Sequence, residues 1–546
     1  MSRTDTRTRK PAVDIQRPAP RSLAVTISPY VLLAVLCSLL FLYGLGNAPL
    51  IGLDEGLYAE CSREMLATGD YLVPRQNGAL FCDKPPLAYW LQAASMSVFG
   101  VNSFAARLPS ALAAGALVAL TVLMGTRLFG RRAGLFAGFA LATSMLLMGS
   151  ARLCTLDAVF TLTLTASLSV YVLHTVGGSG RLAYLAFWIL AGLSVLAKGP
   201  VGAALAFSTV ALWAVLRCRY ADGRHGNWIA GFLLFAAIAV PWYVAVNHAT
   251  GGEFLREFIV HQNIQRALGH DFAHNQPFFF YLPVYVLGFL PWSLFVPLAL
   301  IRHVRLRASS GADRSSLFLA IWIGVVMLAF SLSRSKLPTY ILPALPPSAL
   351  LVGRLWSEMS DRAALRSLSR WAAVAAAVSV LVAALVCIGE WFLPQPIPGL
   401  SFALVPMSAF LGLGSVLGWA LMMRGRAAAA LAAFTLGMSG FLITASVVGL
   451  PIAARTLAAP AVKIAREIRA VRSSGETVLA YRLSPPQPAI SFYSRMRVRP
   501  VRSGAEITAV KGQCLIVVQQ DRMGGLPRRC VKCASVGRYS LFRMDR

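Results

Sequence analysis

The chain has 546 residues, of which 57% are hydrophobic and only 13% charged, with positive mean hydropathy and a formal net charge of +29. Such a composition excludes an ordinary soluble domain, and apolar runs recurring at roughly membrane-spanning length predict an all-α polytopic membrane protein, because backbone groups in lipid must be satisfied within each helix. The basic residues are scattered among membrane turns instead of forming one stripe, which argues for topogenic and lipid-facing roles and against nucleic acid as a partner.

In chain order, residues 1–22 read as a basic cytoplasmic tail, since the tail is too long and the following apolar run exceeds the h-region of a cleaved signal peptide. Thirteen apolar spans follow, at 23–43, 104–126, 133–150, 156–176, 182–197, 199–217, 228–248, 278–301, 317–333, 338–353, 370–389, 402–423 and 428–450. The segment 86–99 is too short to span and reads as a helix lying in the interface. Arginine clusters alternate with poorer loops, which assigns the rich side to the cytoplasm and places the loops 44–103 and 249–277 in the periplasm. Together 23–450 forms the membrane domain. Residues 451–546 change character: a helical stretch precedes the strand-like runs ETVLAYRL and CLIVVQQD, which predicts a small C-terminal α/β domain, periplasmic by parity. Cys530 and Cys533 form a lone C-x-x-C with no second pair, so a local disulfide or free thiols fit better than a zinc framework.

Several ionisable groups fall on the periplasmic side. Asp54 and Glu55 open a helical turn, with Tyr58 one turn after Asp54 on the same face. Asp83 and Lys84 precede the interfacial helix. Asp157 stands at the mouth of a span, with Arg152 as a candidate partner; Lys198 ends another span before Gly-Pro; His261, Arg266 and Tyr340 lie in later loops. A helix cap for Asp54, a snorkelling Lys198 and a belt position for Tyr340 are the structural alternatives. An acid at a span's edge is costly unless paired, which makes Asp157 a functional candidate. Two separated carboxylates with Lys, Arg and Tyr on one face suit a phosphate-linked substrate: the cations and phenol stabilise charge on a leaving phosphate while a carboxylate orients or deprotonates an acceptor. None of the histidines has the HExxH spacing.

The runs GLDEGLYAE, DKPPLAYW, RLCTLDAVF, LAKGP and KLPTYILPALPP, in this order, resemble the polyprenyl-phosphate-dependent GT-C glycosyltransferases, and more narrowly the lipid A 4-amino-4-deoxy-L-arabinose (ArnT-type) transferase family, related to the protein O-mannosyltransferases. The resemblance implies a multi-pass protein of the bacterial inner membrane, working as a monomer. Its donor would be aminoarabinose on undecaprenyl phosphate and its acceptor lipid A, and the product would give resistance to polymyxin and other cationic peptides. It implies Asp54 and Asp157 as catalytic acids and Lys84, Arg266, Tyr340 and Lys198 as ligands of the carrier phosphate. Glu55, Tyr58 and Arg152 are expected as subsidiary acceptor- or donor-binding residues. Asp83, where relatives commonly carry glutamate, and His261 form an implied pair for a divalent metal such as zinc. The expected reaction is a single inverting displacement at the anomeric carbon. Transfer of mannose or another lipid-linked sugar to protein or glycolipid is the nearest alternative, and a lipid-linked-sugar transporter a more distant one.

Overall fold

The structure, a computed structural model, describes residues 23–177, 181–216, 228–265, 276–305, 310–358, 362–393, 396–473, 475–483, 487–510 and 512–544. Among these, seven helices are long and apolar enough to cross a membrane: Ser103–Phe129, Asp157–Val176, Trp228–Ala249, Gly311–Leu332, Leu365–Phe392, Ser401–Met423 and Ala427–Leu457. Two predicted spans are bent. Arg131–Ala142 meets Met145–Arg152 at 61°, and Phe278–Gly288 meets Trp292–His303 at 107°; counting each pair as one span gives nine. Pro29–Leu42, Leu182–Lys198 and Pro200–Leu216 are shorter apolar helices. The segment expected to span at 338–353 is instead a 3-10 turn, Pro338–Ala344, leading into the helix Leu345–Ser357, which is buried almost all round. Four prolines in KLPTYILPALPP withhold backbone donors from a continuous helix, so the tight turn takes their place.

The helices share one large apolar core. Close approach is bought with small residues: a Cβ on Gly414 would lie 2.5 Å from the Gly437 Cα, so these two helices touch backbone to backbone.

The first loop holds the helices Gly52–Thr68 and Leu87–Phe99, linked through a small hairpin, Arg75–Gln76 with Ala79–Leu80. The C-terminal part is a five-stranded sheet in the spatial order Val498–Val501, Thr477–Tyr481, Cys514–Gln519, Tyr539–Met544, Cys530–Val536. The first three strands are parallel and the last two add antiparallel. Cys530 and Cys533 are free thiols on the outer strand. Helix Ala459–Val471 presents Ala461, Ile464, Ala465 and Ile468 to this sheet, the i, i+3, i+4, i+7 face expected of an amphipathic helix.

This sheet domain is fastened to the first loop. Gly56 packs so tightly on the Pro488–Ser494 helix that a Cβ there would meet Pro488 Cγ at 2.8 Å. The Tyr493 hydroxyl accepts the Leu50 N–H at 2.8 Å and bonds Ser103 Oγ at 2.7 Å. Arg497 pairs with Glu64 at 2.8 Å, and Asn77 Oδ1 accepts the Val498 N–H at 3.1 Å. The polar loop carrying Asp54 is thereby held between membrane helices and sheet.

Candidate functional site

Helix Gly52–Thr68 starts after extended Ile51 and places Asp54 and Glu55 in its first turn, where free N–H groups favour carboxylates. The two acids then part. Asp54 stays exposed. Glu55 turns inward, 2% exposed, and accepts from Arg107 Nε at 2.8 Å and Nη2 at 2.7 Å, from the Cys154 N–H at 2.7 Å and from the Ile51 N–H at 2.7 Å. Arg107 spends its remaining donors on the carbonyls of Leu45, Ala48 and Pro49. Glu55 is therefore a structural acid, not the substrate-binding group expected from its place beside Asp54, because every acceptor position is taken inside the protein.

Tyr58 is buried one turn on and donates to Asp83 Oδ2 at 3.1 Å. Burial first, then the negative charge of Asp83, holds its phenol well above the ordinary tyrosine range, so it remains a neutral donor. Asp54 and Asp157 add to the negative potential at the same hydroxyl. Lys84 Nζ bonds Asp83 Oδ1 at 2.9 Å and the Asp83 carbonyl at 3.0 Å. Pro85 and Pro86 fix the backbone beyond it.

The second acid sits where two helix ends meet. Asp157 opens Asp157–Gly177, Lys198 closes Arg181–Lys198, and each charge suits its helix terminus. Gly199, at φ +90°, turns the chain sharply so that Pro200 begins the next helix. Lys198 Nζ donates to Asp157 Oδ1, and Thr339 is a further hydrogen-bond partner of that carboxylate. The ammonium lies 4.3 Å from the Tyr340 ring centroid and 5.2 Å from that of Phe160, within cation–π range. The candidate partner Arg152 does not pair with Asp157. It is buried and donates to the Leu40 and Tyr43 carbonyls at 3.0 and 2.9 Å, closing the end of the first apolar helix. Asp157 meets the lysine because the two consecutive helices pack against each other, bringing the start of one beside the end of the next.

Lys84, Lys198 and Tyr340 line one cavity of about 230 Å³, with Gln262, Asn263 and Ser335 completing its polar wall. These last three escaped the sequence reading; the amide pair after His261 in EFIVHQNIQ was the available signal. Arg266 lies outside the described residues. His261, on the turn Glu257–Gln265, bonds the Gln265 side-chain oxygen through Nδ1. Among the described residues no three His, Cys, Asp or Glu side chains gather as metal donors, and Asp83 is bonded to an ammonium and a phenol. The donor set therefore does not fit the expected metal pair of Asp83 and His261.

Two lysines and a tyrosine face one polar cavity, while Asp54 is exposed in the first turn of the first-loop helix. Two cations and a phenol on one wall suit a phosphorylated group.

Residues 83–244 match the dolichyl-phosphate-mannose-protein mannosyltransferase family. The chain is 36% identical over 335 residues to the undecaprenyl phosphate-alpha-4-amino-4-deoxy-L-arabinose arabinosyl transferase of Pseudomonas aeruginosa (strain UCBPP-PA14), covering 59% of this chain and 58% of that protein. A protein of the same name from Aeromonas salmonicida (strain A449) is 34% identical over 318 residues, 58% of this chain and 57% of its own length. The match thus spans just under three-fifths of these curated relatives. The crystal structure of ArnT from Cupriavidus metallidurans bound to undecaprenyl phosphate superposes with a TM-score of 0.79 at 24% identity, over 95% of this chain and 98% of that one. The chain has an ArnT-type GT-C glycosyltransferase fold, and its sequence is similar to the aminoarabinose transferases.

Proposed function

We propose that the protein transfers 4-amino-4-deoxy-L-arabinose from undecaprenyl phosphate to a phosphate of lipid A at the periplasmic face of a bacterial inner membrane. The convergence of Lys84, Lys198 and Tyr340 on one cavity carries this reading, supported by the names of its sequence relatives. On this reading the chain crosses the membrane about thirteen times with its N-terminus in the cytoplasm, and the domain 451–546 lies outside with the first loop.

The carrier phosphate occupies the cavity, where Lys84 and Lys198 neutralise it and Arg266 is assigned the same task. The C1–O bond of the sugar breaks as the acceptor oxygen attacks from the opposite face, with inversion, and the electron pair leaves on the phosphate. Asp83 positions Lys84, and Asp157 with Thr339 positions Lys198. A phosphate acceptor, whose second pKa is about 6, is already ionised at neutral pH and needs no strong base. Asp54 therefore aligns the acceptor or holds the sugar ammonium.

Purified protein incubated with undecaprenyl-phosphate aminoarabinose and lipid A should yield lipid A heavier by one aminoarabinose. The mannosyltransferase match over 83–244 supports a second reading, a lipid-linked mannose donor. Transfer from polyprenyl-phosphate mannose, and none from the aminoarabinose donor, would replace the first reading with the second.

A further inference from the structure

Away from the lysine cavity lies a cleft of about 620 Å³ between the sheet domain and the membrane domain, and among the described residues no acidic side chain lines it. One wall is the outward side of helix Ala459–Val471: Arg466 lies opposite the apolar face that covers the sheet, and Arg469 on its flank. Arg495 forms the second side, held at φ +58° at the end of the Pro488–Ser494 helix. The floor is Asn102, Ser103 and Phe104, the start of the membrane helix Ser103–Phe129. Helix Ala459–Val471 itself follows directly on the last candidate span, Ala427–Leu457. Candidate spans thus end at or just before the cleft, which on the proposed topology lies at the level of lipid headgroups.

An apolar groove of about 420 Å³ adjoins it, lined by Leu91, Phe99, Leu108 and Leu112 among others. The join is an aromatic pair: Phe99 of the groove meets Phe104 of the cleft edge-on, with ring centroids 5.6 Å apart. Leu112 and Phe99 are more than half exposed, so the groove opens outward. Three arginines at headgroup level beside an apolar trough fit an amphiphile with an anionic head and an acyl chain.

Resting on the proposed transferase reading, we infer that this composite site holds the acceptor: a second phosphate of the glycolipid against Arg466, Arg469 and Arg495, and one acyl chain along Leu91–Leu112. The donor phosphate has its own cavity at Lys84 and Lys198, so a separate cationic site serves the other phosphorylated substrate. Tyr493, which lines the cleft, bonds the Leu50 N–H just ahead of the Asp54 helix and ties acceptor seating to the catalytic loop.

The test uses the full chain in phosphatidylcholine nanodiscs, comparing wild type with Arg466→Ala/Arg469→Ala, both exposed on a helix surface. Lipid A binding should weaken about tenfold or more, as expected for losing charge-assisted hydrogen bonds to phosphate, and the acceptor KM should rise in parallel. Donor KM and kcat should not change, and Arg466→Lys/Arg469→Lys should restore much of the affinity. Equal lipid A affinity in wild type and the double alanine variant would overturn the assignment, as would displacement of lipid A by phosphatidylglycerol at equal mole fraction. Cleft-dependent lipid A binding without any aminoarabinose transfer would uphold the site and sink the transferase reading.

Discussion

Two buried carboxylate–cation pairs flank the first loop, and they are built to opposite ends. Glu55 and Arg107 are closed: five guanidinium donors meet five acceptors, and the carboxylate receives four donors, all from the protein. Asp157 and Lys198 are open: the ammonium borders a polar cavity and lies over an aromatic face. The first pair clamps the start of the loop to helix Ser103–Phe129. The second holds a cation ready beside space for a ligand. Burial and pairing are common to both; what the pair's cation faces distinguishes them, and only Lys198 faces a cavity in which the proposed function seats a ligand.

The largest expected effect comes from breaking the closed pair. Arg107→Met strands the Glu55 charge, a change that costs roughly 3–5 kcal/mol when one partner of a buried pair is removed. Thermal unfolding in detergent should show a much lower Tm and poor yield; a near-native Tm would mean the loop is held elsewhere. Asp157→Asn should instead leave a folded protein whose transfer rate falls roughly 10²–10³-fold, the scale of losing one preorganised electrostatic group. Retained activity there would mean that Lys198 is held in place without the Asp157 charge. Lys84→Met is a weaker break: donor KM should rise roughly ten- to hundredfold, since a hydrogen bond to a charged group is worth roughly 1.5–3 kcal/mol. Tyr58→Phe is the mildest, removing one hydrogen bond to Asp83 worth about 1 kcal/mol, with a modest loss of rate. The Tyr58 phenol is held above the ordinary range of about 10, so its neutral form is the one the fold favours. Its contribution is present below that pH and lost as pH rises past it, and the Tyr58→Phe to wild-type rate ratio should stay flat from pH 6 to 9.

The sequence revealed the membrane class because apolar run length is set by bilayer thickness, a local property of the chain. It also drew attention to Asp157, Lys198 and Tyr340, since charges at span edges and before Gly-Pro turns stand out against Leu and Ala. The pairing was not legible. Whether Asp157 meets Arg152 or Lys198 depends on which helix ends come together, and no spacing along the chain encodes that. Nor could Glu55 be told from Asp54 before the inward side of the helix was known. The bent helices read as single spans because hydropathy registers length and not direction. The strand-like runs ETVLAYRL and CLIVVQQD do lie on the strands Thr477–Tyr481 and Cys514–Gln519, where continuous apolar burial gives the signal its strength.

The most direct test of the account is undecaprenyl phosphate binding, measured on wild type, Lys84→Met and Asp54→Asn in the same detergent. Asp54→Asn should bind the carrier as wild type does while transferring no sugar, and Lys84→Met should bind it roughly ten- to hundredfold more weakly, the scale of a charge-assisted hydrogen bond to phosphate. Undiminished binding by Lys84→Met would place the carrier phosphate outside the lysine cavity and contradict the central claim.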